Sequence, residues 1–182
     1  MSRVAPGYDS TAKTLHWLVA ALLACQFVTA ALLPDIKMDT LPDAVISLHF
    51  SLGIVIAVVM VVRFVHRCMH PAAVAPGAPA WERVLAGASQ LVFYVVLIVG
   101  PFLGWAAASA HSVPVRLFGL IALPDIASRK APWALLAGDI HGYAMWTLLG
   151  LVALHAAAAL VHHVVLRDDV LRRMLPRAWG GA

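Results

Sequence analysis

One stretch near the C-terminus decides the fold: residues Leu135–Val165 read LLAGDIHGYAMWTLLGLVALHAAAALVHHVV. This apolar stretch exceeds the roughly 20 residues that a helix needs to cross a hydrocarbon core of about 30 Å. Its interior carries two histidines, His141 and His155, and its one carboxylate, Asp139, stands near its start. The stretch therefore predicts a transmembrane helix that carries two imidazoles.

Three further apolar blocks precede this one, at approximately Ala12–Leu33, Ala44–Val65 and Val84–Ala108. Prolines cluster between the blocks, where helices end because proline lacks an N–H and has a fixed φ. Apolar residues make up 62% of the 182 and charged residues 12%, whereas soluble domains have about 45–50% and about 25%. We expect an all-α integral membrane four-helix bundle that forms a single domain over residues 1–182.

The basic residues are divided unevenly between the two ends of the predicted bundle. If the N-terminus is cytoplasmic, nine lie on the cytoplasmic side and four on the other, so the positive-inside rule places both termini in the cytoplasm. The formal net charge of +4 is then explained by topology and lipid headgroups, and gives no argument for nucleic acid. The nine are Arg3, Lys13, Arg63, Arg67, Arg83, Arg167, Arg172, Arg173 and Arg177, and the four are Lys37, Arg116, Arg129 and Lys130.

Four histidines fall inside the predicted spans, His16, His49, His141 and His155, while His162 and His163 stand at the end of the last span. An ionisable residue inside a bilayer is costly and is a functional candidate by default. Because successive helices cross in opposite directions, His49 and His141 are expected near the outer face. By the same reasoning, His16 and His155 are expected near the cytoplasmic face.

The spacing of the two histidines on the last helix places them on one side of it. His141 and His155 are 14 residues apart in the sequence, which is close to four turns and roughly 21 Å along the axis. Helix four thus carries two imidazoles on one face. Helix one supplies the partner imidazole at one depth, and helix two supplies it at the other. Two bis-histidine sites follow, of the kind that holds haem iron inside helix bundles.

The four intramembrane histidines could also serve roles that need no haem. A neutral histidine that hydrogen-bonds a neighbouring helix needs no cofactor, and proton relays also use histidine, usually together with Asp or Glu. Zinc normally takes four ligands, or three and a water, whereas each depth here offers two imidazoles. Cys25 and Cys68 lie outside any Cys-x-x-Cys-His pattern, so covalent haem attachment is not predicted.

Weaker candidates lie near the ends of the helices. His162 lies seven residues after His155, on the same helix face and one to two turns nearer the cytoplasmic surface, and Thr14, two residues before His16, lies at the depth of His162. Both are candidates to hydrogen-bond a quinone carbonyl, with helix-end capping and headgroup contact as the alternative. Arg63, Arg116 and Lys130 are candidates to pair with haem propionates or anionic lipid. The outer-loop bases are also placed to attract a small anion from outside.

The chain resembles the bacterial cytochrome b561 family over nearly its whole length. The residues that carry the resemblance are His16-Trp17, His49, Gly53, Arg63, Tyr94, Pro101, Gly104, Trp105, Phe118-Gly119, Pro124, Leu154-His155-Ala156-Ala157-Ala158-Ala159-Leu160, His162-His163 and Arg173-Met174-Leu175-Pro176-Arg177. Many members carry a histidine four residues before the helix-three tyrosine, where this chain has Gln90.

The resemblance implies two haem b groups, with His16 paired with His155 and His49 with His141 as axial ligands. Within this family, the sequence of the chain most closely resembles the superoxide:ubiquinone oxidoreductases. That resemblance implies electron transfer from superoxide at the periplasmic face to ubiquinone at the cytoplasmic side, with a quinone site near Thr14 and His162 and an inner-membrane location.

Two other functions compete with this one. A cytochrome b subunit passing electrons between quinone and a partner dehydrogenase is the first, although the predicted loops are short and offer no large extramembrane domain for docking. A haem-free transporter or channel that uses the histidines as a proton or metal path is the second.

Overall fold

The computed structural model describes residues 8–71 and 79–175. Of the residues named above, Arg3, Pro176 and Arg177 lie outside these ranges. Four helices are long and apolar enough to cross a membrane, so the prediction of a membrane four-helix bundle is confirmed. They are α1 (Ser10–Ala31), α2 (Ala44–Met69), α3 (Ala80–Ala110) and α4 (Pro132–Val161), and a π-helical turn, His162–Leu166, continues α4.

The helices begin at residues that suit a helix start. The carboxylates of Asp9 and Asp43 accept hydrogen bonds from the backbone N–H groups of Ala12 and Ile46, each at 2.8 Å, and so cap α1 and α2. Proline opens α4 at its first position, where its missing N–H would be unpaired in any case. Helix α3 runs from Ala80 to Ala110 and therefore extends beyond the predicted Val84–Ala108 at both ends.

The helices pack in chain order, α1 on α2, α2 on α3 and α3 on α4, while α1 and α4 approach each other at few points. An apolar layer joins all four helices near the middle of the bundle. Because Leu148 lies halfway between His141 and His155 in the sequence, this layer separates the two histidine levels. Its buried members are Val19, Leu23, Ile56, Met60, Tyr94, Leu97 and Leu148.

Small residues form the outer half of the interface between α3 and α4. A Cβ added to Gly138 would lie 3.0 Å from the Cβ of Ala107, so the two backbones approach as closely as side chains allow. Small residues commonly allow close helix packing in membranes. Because lipid tails are as apolar as the side chains, the hydrophobic effect does not drive the helices together there. The buried alanines of this interface are Ala106, Ala110, Ala131, Ala134 and Ala137.

A buried serine of α2 fixes the outer connection between α3 and α4. This connection contains a short antiparallel pair, β1 (Arg116–Leu117) and β2 (Ile121–Ala122). The Ser51 hydroxyl donates to the Ser47 carbonyl at 2.6 Å and accepts from the Phe118 N–H at 2.7 Å. This fully buried hydroxyl therefore both donates and accepts a hydrogen bond, and the bond from Phe118 holds the connection against α2.

We predict that Ser51→Ala lowers the free energy of unfolding by about 1–3 kcal/mol, because it leaves the Phe118 N–H without its acceptor. Unfolding of the purified protein in detergent micelles measures the change. Ser89→Ala is the matched control, since the Ser89 hydroxyl only donates to the Ala86 carbonyl of its own helix. Equal stability of the two variants would contradict the prediction.

Candidate functional site

The first pair of histidines joins α1 to α4. The ring centres of His16 and His155 lie 6.2 Å apart, with an interplanar angle of 64°. Phe93 of α3 meets the His155 ring edge-on at 5.5 Å, and Trp17 meets the His16 ring at the same distance. We call His16 and His155 the inner pair.

The second pair joins α2 to α4. The ring centres of His49 and His141 lie 6.4 Å apart, and the two rings are nearly perpendicular at 88°. We call these two residues the outer pair. The structure thus brings together the same partners that depth along the helices predicted, and their role as haem ligands stays a prediction.

Helix α3 orients one ring of the outer pair. The Nδ1 of His141 lies 2.9 Å from the Gly100 carbonyl oxygen. Only a protonated Nδ1 can donate to a carbonyl, so this bond leaves Nε2 as the nitrogen free to bind a metal. Gly104 makes room for the ring, because a Cβ there would lie 3.2 Å from the His141 Cε1. The sequence assigns no histidine ligand to the third helix, and the structure adds this orienting contact.

Helix α1 supplies a polar neighbour to the other ring of the outer pair. The Gln26 Nε2 lies 3.2 Å from the His49 Nδ1 and 3.1 Å from the His49 carbonyl oxygen, to which it donates. The Thr29 hydroxyl lies 3.5 Å from the same Nδ1. A Cβ at Gly53 would lie 3.6 Å from the Gln26 Nε2, which is an ordinary van der Waals contact, so the amide packs against α2 at this position.

The inner pair has a different environment. Within residues 8–71 and 79–175, no hydrogen bond reaches a ring nitrogen of His16 or His155. A guanidinium stands nearby instead: Arg63 lies close enough to act electrostatically on both rings. Its Nη1 donates to the Ala12 carbonyl oxygen at 3.0 Å, which fixes the positive charge beside this pair.

The two residues suggested for a quinone are placed differently. Thr14 is exposed on α1, and His162 opens the π-helical turn that follows α4. The His162 Nδ1 lies 2.5 Å from the Asp168 Oδ2, because Arg167 adopts a left-handed conformation, with φ of 54°, that turns the chain back. In the described part of the chain no hydrogen bond joins Thr14 to His162.

The basic residues of the outer connections fall into two groups. Lys37 pairs with Asp35 at 3.3 Å, and Arg129 pairs with Asp39 at 2.6 Å. Arg116 and Lys130 are exposed, and neither forms an ion pair with another described residue. These two side chains therefore contribute positive charge that no neighbouring carboxylate neutralises.

Three partners of the candidate site residues were not identified from the sequence: Gln26, Gly100 and Asp168. A signal existed for Gln26, because a polar side chain inside a membrane span usually faces the bundle interior. The Gly100 carbonyl had no signal, since every residue carries one. Asp168 follows the predicted helix, and its bond to His162 depends on the turn at Arg167.

Comparison with known proteins identifies the family. The family model described as "Prokaryotic cytochrome b561" matches residues 7–177. "Cytochrome b561 homolog 2" of Escherichia coli (strain K12) is 27% identical over 173 residues, which cover 94% of this chain and 92% of the relative. "Probable superoxide oxidase CybB" of Yersinia pestis is 30% identical over 184 residues, with 91% and 94% covered.

A third relative, "Cytochrome b562" of Cereibacter sphaeroides, is 27% identical over 175 residues that cover 93% of this chain and 96% of the relative. The match therefore extends across the bundle and includes all four intramembrane histidines. The resemblance seen in the sequence is confirmed. The chain belongs to the prokaryotic cytochrome b561 family of haem b electron-transfer proteins, and it is a multi-pass protein of the inner membrane.

Proposed function

We propose that the protein binds two haem b groups, oxidises superoxide at the periplasmic face and reduces ubiquinone in the membrane. The observation that carries the proposal is the pair of facing imidazoles at each of two levels of the bundle. In this scheme His16 and His155 hold the inner haem, and His49 and His141 hold the outer one. The protein is then a superoxide:quinone oxidoreductase with both termini in the cytoplasm.

The separation of the rings supports haem ligation. A metal–imidazole bond is about 2.0–2.1 Å long, and the bound nitrogen lies about 1.1 Å from the centre of its ring. Two imidazoles that hold one iron between them would therefore have ring centres about 6.3 Å apart. The observed separations are 6.2 Å and 6.4 Å. Haem b supplies one-electron transfer through its Fe²⁺/Fe³⁺ couple, with axial ligands and their hydrogen bonds as the protein's means of control.

Charge supports the proposed orientation and the anionic substrate. The nine-to-four excess of basic residues favours an orientation with the outer pair toward the periplasm. Arg116 and Lys130 would then face the periplasm, and their unneutralised charge attracts small anions. A singly charged anion such as superoxide is steered to this end of the molecule.

The cytoplasmic end supports a quinone site. The bond to Asp168 orients the His162 ring, as a carboxylate does for a histidine that passes protons. The exposed Thr14 hydroxyl is available to a second carbonyl. Two superoxide anions lose one electron each and leave as two O₂, and ubiquinone takes up these two electrons with two protons and leaves as ubiquinol.

We predict that His16→Ala or His155→Ala removes one haem, and that His49→Ala or His141→Ala removes the other, because an open axial position weakens each site separately. The haem content should fall from about two to about one per chain, with two distinguishable residual spectra. Pyridine haemochrome assay and reduced-minus-oxidised spectra measure this. His111→Ala, outside both pairs, should keep both haems. A wild-type protein without a Soret band would end the haem proposal.

For superoxide, we predict that the double variant Arg116→Gln/Lys130→Gln slows reduction of the haems by about threefold to tenfold, because electrostatic steering is lost. Stopped-flow mixing with superoxide measures the rate, and added salt should reduce the difference. Arg172→Gln makes the same kind of charge change at the opposite end and should have no effect. If quinol and dithionite reduce the haems and superoxide does not, superoxide is refuted as the substrate.

For quinone, we predict that His162→Ala and Asp168→Asn slow haem oxidation by a short-chain ubiquinone at least about tenfold, because oriented proton transfer is lost. The haem content should be unchanged. Asp169→Asn is the control, since Asp169 pairs with Arg172 at 3.6 Å and not with His162. Normal quinone turnover in both test variants would place the quinone elsewhere.

A further inference from the structure

A phenol hydroxyl and a guanidinium lie together at the inner level of the bundle. Tyr94 of α3 and Arg63 of α2 are close enough to interact. The Tyr94 side chain is 8% exposed, and its hydroxyl is buried without a hydrogen-bond partner among the described residues. Because a guanidinium can only donate hydrogen bonds, Arg63 offers no acceptor for the O–H proton. A buried donor left in this way is costly, and an acceptor from outside the polypeptide would satisfy it.

The positive charge beside this hydroxyl has no counter-ion in the described polypeptide. Arg63 is half-buried near the inner end of α2, where its Nη1 donates to the Ala12 carbonyl oxygen. Arg67 lies one turn further along α2 and acts on Arg63 electrostatically, and its own Nη1 is buried without a partner. Within residues 8–71 and 79–175, neither arginine forms an ion pair with a carboxylate. Two neighbouring cations that are partly withdrawn from water favour the binding of an anion.

The hydroxyl and the guanidinium also lie beside the inner pair. Arg63 acts electrostatically on the rings of both His16 and His155. Phe93, the neighbour of Tyr94 in the chain, meets the His155 ring edge-on at 5.5 Å. The ligands proposed at this level come from α1 and α4, whereas the guanidinium and the hydroxyl come from α2 and α3. The helices that supply no ligand at this depth therefore supply the groups that bind an anion.

We infer that Arg63 and Tyr94 form a carboxylate-binding site for a propionate of the inner haem, with Arg67 as the second positive charge at this end. The inference rests on the proposed haem ligation. An ionised carboxylate only accepts hydrogen bonds, so it suits a site made of a guanidinium and a hydroxyl that both donate. The propionate would satisfy the Tyr94 hydroxyl and neutralise Arg63 in one contact.

The phosphate of an anionic lipid offers the same negatively charged oxygens, and basic residues near a membrane surface commonly bind it. The burial of the site favours the haem over the lipid. The Tyr94 ring belongs to the apolar layer that joins all four helices, and its hydroxyl is covered by protein. A lipid phosphate approaches from outside the bundle, whereas a haem held by the inner pair lies within it.

The test labels the propionates of the holoprotein. Cells fed 5-aminolaevulinate with ¹³C in its carboxyl group make haem that carries the label only in its propionate carboxyls, and redox difference infrared spectra then identify their bands. Arg63→Gln and Tyr94→Phe should each shift a labelled carboxylate band. A His49→Ala background, in which the inner haem is the one retained, assigns that band to the inner haem.

Transfer of haem to apomyoglobin gives a second measurement. Loss of one haem should become at least about tenfold faster in Arg63→Gln, because a charge-assisted hydrogen bond is removed, and about threefold faster in Tyr94→Phe, where the bond is between a neutral donor and the carboxylate. The matched controls are Tyr143→Phe on the exposed side of α4 and Arg172→Gln, whose guanidinium pairs with Asp169. Both controls should keep the wild-type bands and rates.

Labelled bands that stay in place in both test variants, with both haems bound, would overturn the inference and leave the proposed function standing. The same bands together with loss of bound phosphatidylglycerol from Arg63→Gln in native mass spectrometry would assign the arginine to a lipid instead. If Arg63→Gln does not retain the inner haem, Tyr94→Phe decides: an unchanged band and an unchanged rate of haem loss overturn the inference. A wild-type protein without haem would overturn the proposed function itself.

Discussion

A polar group inside the hydrocarbon of a membrane has no water to bond, so each imidazole there is favoured on the side of its helix that faces the rest of the protein. This constraint accounts for most of the architecture. Helix α4 presents His141 and His155 to one seam, and α1 and α2 each face one of them. Between the two levels an apolar layer from all four helices fills the bundle, so the polar groups are confined to two depths.

The pairing of the histidines followed from the sequence because depth and face along one helix depend only on its rise and period. Alternate crossing directions placed His16 with His155 and His49 with His141, and the 14-residue spacing placed the α4 rings on one side. The four helices followed from the length and apolarity of their segments. These features need no knowledge of how one helix is rotated against the next.

The hydrogen bonds of the rings depend on that rotation and were therefore not predictable. The Gly100 carbonyl reaches His141 only because α3 and α4 pack closely through glycine and alanine. Gln26 reaches the His49 carbonyl oxygen because α1 and α2 pack against each other at this level. The bond between His162 and Asp168 requires a left-handed residue after a π-helical turn. Each depends on local packing that a helical period does not encode.

The same contacts decide what two similar sites can do in the proposed scheme. All four ligands are imidazoles, so the ligands themselves give no direction to electron transfer. A difference arises from the surroundings: the Gly100 carbonyl, which accepts from His141 at the outer pair, favours the oxidised form, and the Arg63 charge at the inner pair favours the reduced form. An electron that enters where Arg116 and Lys130 attract anions is then drawn toward His16 and His155. Direction is thus a property of helices α2 and α3, which carry Arg63 and Gly100, as much as of the helix that carries a ligand at each level.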